Sequence, residues 1–161
     1  MIPMTDIQKI ASEIIAEETL RLDMNRIRED LMGLYGDIVA ELTRGGAGKE
    51  TMIYDYAELM AREQALYIPE QAYEAGVSAR DTEHDAAFMD YIRSIHLDPE
   101  TKAVLRERDN MYYELSSLLG DAGGLLDEWV ELYRDCHGII GQKIDRFFNM
   151  GYYGADNPKA T

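Results

Sequence analysis

Apolar residues recur along this chain at alternating spacings of three and four, the period of one helix face, and no convincing strand alternation interrupts them. Ile7, Ile10, Ala11 and Ile14 trace one stripe. Met24, Ile27, Leu31, Leu34, Ile38 and Leu42 trace a second. The two are out of phase. Continuing the second backwards lands on Glu17 and Leu20, so residues 5–43 are either one helix with a phase shift near Glu17–Asp23 or two helices broken there. Thr5 and Gln8 form a capping-box pair at the start. Gly33 and Gly36 lie inside the second stripe, where each costs about 1 kcal/mol relative to Ala; close approach of a neighbouring helix is the expected reason for them.

Arg44-Gly45-Gly46-Ala47-Gly48 reads as a turn. A helix from Glu50 to Tyr67 follows, with Ile53, Tyr56, Ala57, Met60, Gln64 and Tyr67 inward. Pro69 restarts the chain as a short helix over 69–77, ending near Gly76, since proline suits a first turn and not an interior. Asp81 or Thr82 can cap a helix carrying Phe88, Tyr91, Ile92 and Ile95. Asp98-Pro99-Glu100 combines an N-cap, a proline at the first helical position and an acid facing the dipole. That helix stops at Gly120. Residues 122–151 then predict one long helix with Leu126, Trp129, Val130, Tyr133, Ile140, Ile144, Phe147 and Phe148 inward. Tyr73-Glu74-Ala75-Gly76 and Phe148-Asn149-Met150-Gly151 resemble one another, each with an aromatic three residues before a glycine, and both read as helix ends. The architecture expected is an all-α single-domain bundle of about five to seven helices over residues 1–155, with no significant sheet and a flexible tail over 156–161. Long helices near both termini are expected to pack antiparallel in one core.

Length and composition fit that picture: 161 residues, 46% hydrophobic and 29% charged, are enough for one packed domain. The charge balance changes it more. Asp and Glu number 31 against 16 Lys and Arg, a formal charge of −15, which argues against a general nucleic-acid binder. Residues 50–100 hold twelve acids and three arginines, residues 109–135 seven acids and one arginine, while residues 1–44 are nearer balance with nine acids and five bases. Cys136 has no second cysteine to pair with, which fits a reducing cytoplasm. The N-terminus carries no signal-peptide pattern. No apolar run approaches the roughly 18 residues that span a bilayer, and negative charge opposes anionic lipid, so no membrane association is expected.

Chemical motifs are weak. Residues 43–51 suggest a phosphate loop, but Thr43 stands where its first glycine belongs and Glu50 where Ser or Thr should hold magnesium. A di-iron bundle needs Glu three residues before His; Asp81, Arg93 and Arg134 precede His84, His96 and His137 instead. Glu17, Glu18, Glu58 and Glu63 are the acids suspected of inward positions. Cys136 and His137 are adjacent, so on a helix they diverge by about 100° and make a poor zinc or nucleophile pair. No calcium loop is present. The reading is of no catalytic residue, no metal and no cofactor.

What remains is binding. The eleven tyrosines supply large contact area at small entropic cost, and neither Tyr112-Tyr113 nor Tyr152-Tyr153 can face one core with both rings. Carboxylates at Glu70, Glu74, Glu83, Asp85 and Asp90, and at Glu114, Asp127, Glu128, Glu131 and Asp135, are the candidate partner-binding acids. The function expected is stoichiometric binding to another protein with a basic surface, in its sharpest form an inhibitor occupying a nucleic-acid-binding cleft. Small acidic anti-CRISPR and other anti-defence proteins offer an analogy of charge and size, without any shared motif. A self-associating helical scaffold, as a homodimer or subunit, is the alternative, and an enzyme the least favoured.

Overall fold

The computed structural model describes residues 4–45, 48–82 and 86–154, the side chains of residues 4 and 5 excepted. Helix is the secondary structure of these residues, with no strand among them. In order, the elements are α1 (Met4–Arg21), α2 (Met24–Gly45), α3 (Met52–Gln64), α4 (Pro69–Thr82), α5 (Ala87–Leu97) and α6 (Pro99–Leu119). A 3₁₀ turn over Gly120–Ala122 leads to α7 (Gly123–His137), α8 (Ile139–Gln142) and α9 (Ile144–Tyr153). The all-α fold class is as the periodicity predicts. The segment proposed as a flexible tail lies outside the described residues.

The out-of-phase stripes resolve into two helices. Asp23 ends the ambiguity: its Oδ1 accepts from the Arg26 amide at 3.2 Å, capping α2 at the break. Thr5 does not precede α1, which begins at Met4 and places Thr5 in its first turn. Asp98 behaves as its sequence context requires, its Oδ2 accepting from the amides of Glu100 at 3.1 Å and Thr101 at 3.2 Å. Gly120 closes α6 with φ +55°, a conformation L residues rarely adopt.

Three boundaries depart from expectation. α4 passes through Gly76 and continues to Thr82, so Asp81 and Thr82 lie in its last turn. α5 begins after Ala86, which makes no side-chain cap. The long final helix is cut at Gly138, whose amide donates to Arg134 O at 2.8 Å as a C-cap, and again at Lys143.

Two groups of buried side chains hold these helices. Ile7 and Ile14 of α1, Ala72 and Tyr73 of α4, Ala87 of α5, Ile139 of α8 and Phe147 of α9 belong to the first. Ile38 and Leu42 of α2, Ile53 and Met60 of α3, Leu115 of α6 and Trp129 of α7 belong to the second. The chain thus alternates between them: α1, then α2–α3, then α4–α5, then α6–α7, then α8–α9. The first and last helices do share a core, as expected, but the middle of the chain builds another beside it. Gly141 of α8 lies against the end of α3 and the residues that follow it. A Cβ there would meet Gln64 Oε1 at 3.2 Å and the Tyr67 ring at 3.1 Å.

The closest helix pair is α4 with α9, and its cause is the repeated aromatic-x-x-Gly segment. A Cβ on Gly76 would overlap Phe148 O and lie 2.9 Å from Tyr152 N; one on Gly151 would overlap Tyr73 O and lie 2.9 Å from Val77 N. Each glycine therefore receives the backbone of the other helix at its aromatic residue. Gly76 is not a helix end, contrary to the sequence reading, whereas Gly151 does lie in the last turn of α9; both are reciprocal contact points between the two helices.

Gly33 and Gly36 have the opposite surroundings. Nothing lies within 4 Å of a Cβ built at either, so they admit no neighbouring helix. Substituting Ala at each should raise stability by about 0.5–1 kcal/mol. Urea unfolding of Gly33→Ala and Gly36→Ala checks this, and a loss of stability would contradict the open placement.

Candidate partner-binding face

On α7 the rotation of about 100° per residue that turns Leu126 and Trp129 into the core leaves Asp127, Glu128 and Glu131 exposed. Asp135, one turn beyond Glu131, is half-buried at the same edge. Two clefts flank this edge and share Glu131 and Asp135.

The first cleft, between α2 and α7, has a volume of 560 Å³ and is lined by Glu29, Asp30, Gly33, Leu34, Asp37, Glu128, Glu131, Leu132 and Asp135. Six of the nine are carboxylates and none is basic. The α7 acids Glu128, Glu131 and Asp135 recur at spacings of three and four, and on α2 Asp37 lies two turns beyond Glu29 and Asp30 on one side of the helix. Gly33 leaves the groove open between them. Exposed Met32, at 71% accessibility, adds apolar surface on α2.

The second cleft, between α6 and α7, measures 580 Å³ and includes Tyr56, Arg108, Asp109, Tyr112, Tyr113, Asp127, Glu131, Arg134 and Asp135. Arg108 is engaged from behind. Its guanidinium pairs with Glu63 of α3 and, through Nη2, with Asp109 Oδ1 at 2.8 Å. Burial alone would lower the Arg108 pKa, but the hydrogen bonds to Glu63 and Asp109 outweigh it and raise it. Glu63 is buried at 9% accessibility, and its Oε2 takes no hydrogen bond among the described residues. Tyr56, 3% accessible, has its phenol pushed up to about 12 by burial.

Tyr112 donates its hydroxyl to Asp127 Oδ1 at 2.5 Å, and this bond is the main reason its pKa is raised. Its ring meets Tyr113 edge-on, with centroids 5.7 Å apart and planes at 78°. Tyr113 is 70% exposed while Tyr112 is half-buried, dividing the pair as consecutive helical residues must. Tyr152 and Tyr153 divide likewise, with Tyr153 outward and Tyr152 stacked on Phe148. They lie on α9, away from the two clefts.

The structure separates the two predicted groups of acids. Asp127, Glu128, Glu131 and Asp135 converge on one edge; Glu114 lies outward on α6, 3.8 Å from Lys49. Glu70 and Glu74 sit on α4 and Asp90 on α5, where Arg93 reaches Asp90 at 3.3 Å. None of these three lines either cleft. Glu83 and Asp85 lie outside the described residues. Missed by sequence reasoning were Glu29, Asp30 and Asp37, which belong to the most balanced third of the chain and gave no charge signal. Of the acids suspected inward, Glu63 is buried, Glu18 half-buried between Arg21 and Lys143, and Glu17 and Glu58 exposed.

The remaining chemical candidates gain little. Among the described residues, no group of three or more His, Cys, Asp or Glu is placed to hold a metal ion, and no helix is long and apolar enough to cross a membrane. Burial pushes the Cys136 thiol up, opposite to what a nucleophile needs. In the glycine-rich turn Glu50 Oε2 accepts from the Gly48 amide at 3.0 Å, placing a carboxylate where a phosphate loop would need its donor free.

The chain matches no family model, no curated protein and no solved structure. Any reading of the face rests on its own geometry and charge.

Proposed function

We propose that this protein acts by stoichiometric binding, presenting the α2–α7 edge to a basic surface of another protein. The observation that supports this reading is the groove in which two helices contribute six carboxylates and no cation. Clustering like charges at one-turn spacing opposes helix stability by a few tenths of a kcal/mol per pair. Such a face attracts cationic partners over long range and accelerates encounter. Occupation of a nucleic-acid-binding cleft is the form of inhibition that this charge suits best, since carboxylates in a row compete for the sites that phosphates would fill.

The test is charge reversal. Glu128→Lys, Glu131→Lys and Asp135→Lys together should weaken capture of a basic partner, slow its association and flatten its salt dependence. Exposed pairs contribute only about 0–1 kcal/mol to folding, so the melting temperature should hardly change. A matched control reverses Glu70, Glu74 and Asp90. Retention of the same partner by the α7 variant, or equal loss in the control, overturns the assignment to this edge. Displacement of nucleic acid from the captured partner by the parent protein then separates inhibition from simple association.

A further inference from the structure

We infer that the α6–α7 cleft receives an arginine side chain of the basic partner, with preference for guanidinium over ammonium; this rests on the binding reading above and names the group it takes. The cleft is not only acidic. Tyr112 and Tyr113 stand at 78° to each other and make two walls of a corner, with Asp127 and Glu131 in the same lining. The Asp127 bond holds the Tyr112 ring in place, so one wall is set before any ligand arrives. Tyr113 leaves its ring open to solvent. A planar guanidinium can stack on such rings while donating to carboxylates, whereas an ammonium is a compact, strongly hydrated charge. The arginines of the lining do not reverse the sign. Arg108 is occupied by Glu63 and Asp109, and Arg134 is one cation against three further acids of the lining, Asp127, Glu131 and Asp135. Because Glu131 and Asp135 also line the α2–α7 groove, an arginine seated here lies beside the more acidic groove and its basic neighbours can extend across the edge.

The experiment titrates the full chain with hexa-arginine, hexa-lysine and hexa-glutamate peptides at fixed ionic strength, following affinity by calorimetry. Hexa-arginine should bind about threefold more tightly than hexa-lysine, the scale of an exposed cation–π contact. Tyr113→Ala changes no charge and should erase that preference while leaving hexa-lysine binding in place. Tyr113→Phe should keep it. Equal binding of the two cationic peptides, or a preference that survives Tyr113→Ala, overturns the arginine site and leaves the acidic face standing. Failure of both cationic peptides to bind overturns both readings. Binding of hexa-glutamate would show that Arg108 and Arg134 govern the cleft and would equally overturn the proposal.

Discussion

Gly76→Ala should cost about 3 kcal/mol, at the upper end of the usual overpacking range, and Gly151→Ala should do the same. A single added methyl group has this effect because of what it meets. At Gly76 the obstacle is the carbonyl of Phe148, and at Gly151 the carbonyl of Tyr73. A flexible side chain could rotate away; a backbone carbonyl inside a helix cannot move without taking its helix along. α4 and α9 must therefore separate, weakening the packing of Ala72, Tyr73, Phe147 and Phe148, all buried in one group. Each variant should melt roughly 6–12 °C lower, at 2–4 °C per kcal/mol for a chain of this size. The two glycines share one contact, so the double variant should lose clearly less than the sum of the singles. Thermal unfolding followed by circular dichroism measures all three. Additive losses would mean that the positions act separately, and unchanged stability would remove the close contact altogether.

Trp129→Ala should remove about 3–5 kcal/mol, the cost of truncating a large buried aromatic. Trp129 is 3% accessible. Its ring stacks on Tyr133 at 5.0 Å and 25°, and meets Tyr56 at 5.8 Å. Tyr56 in turn lines the α6–α7 cleft, so the cavity left by the indole opens next to the proposed arginine site. Stability should fall first, and affinity for the cationic peptides only as far as Tyr56 and Tyr112 shift. Trp129→Phe should recover part of the loss. Unfolding by urea gives the stability and calorimetry the binding; intact stability with binding abolished would make Trp129 an interface residue.

Much of the fold was legible because helical burial follows a local period. Ile7, Ala11 and Ile14, Ile53, Tyr56 and Met60, and Leu126 and Trp129 are buried where their spacing places them. The N-terminal half of α2 shows the limit of that signal. Met24, Ile27, Leu31 and Leu34 keep the same period yet are only half-buried, because periodicity specifies a face and not the depth of what covers it. The candidate face was legible in half. Asp127, Glu128, Glu131 and Asp135 stood out by charge density, whereas Glu29, Asp30 and Asp37 were offset in sequence by Arg26 and Arg28. Running charge balance sums acids and bases over a stretch of chain, so acids that line one groove go unseen when arginines lie beside them in sequence.

The amino-acid sequence by itself determined the helical character of the chain, the caps at Asp98 and Gly120, the burial of Trp129 and the outward acids of α7. These depend on residues within a few turns of each other, where spacing, capping groups and dihedral preference act directly. Tertiary structure alone decided which faces meet. The same aromatic-x-x-Gly pattern that reads as two helix ends becomes a reciprocal contact between α4 and α9. Gly33, whose place in the α2 stripe suggests close packing, lines an open groove instead. A missing Cβ permits either outcome, and only the arrival or absence of a second helix determines which one occurs. Joining the acids of α2 to those of α7 is likewise a property of packing, since charges remote along the chain interact only once burial of Ile38, Leu42 and Leu126 brings their helices side by side.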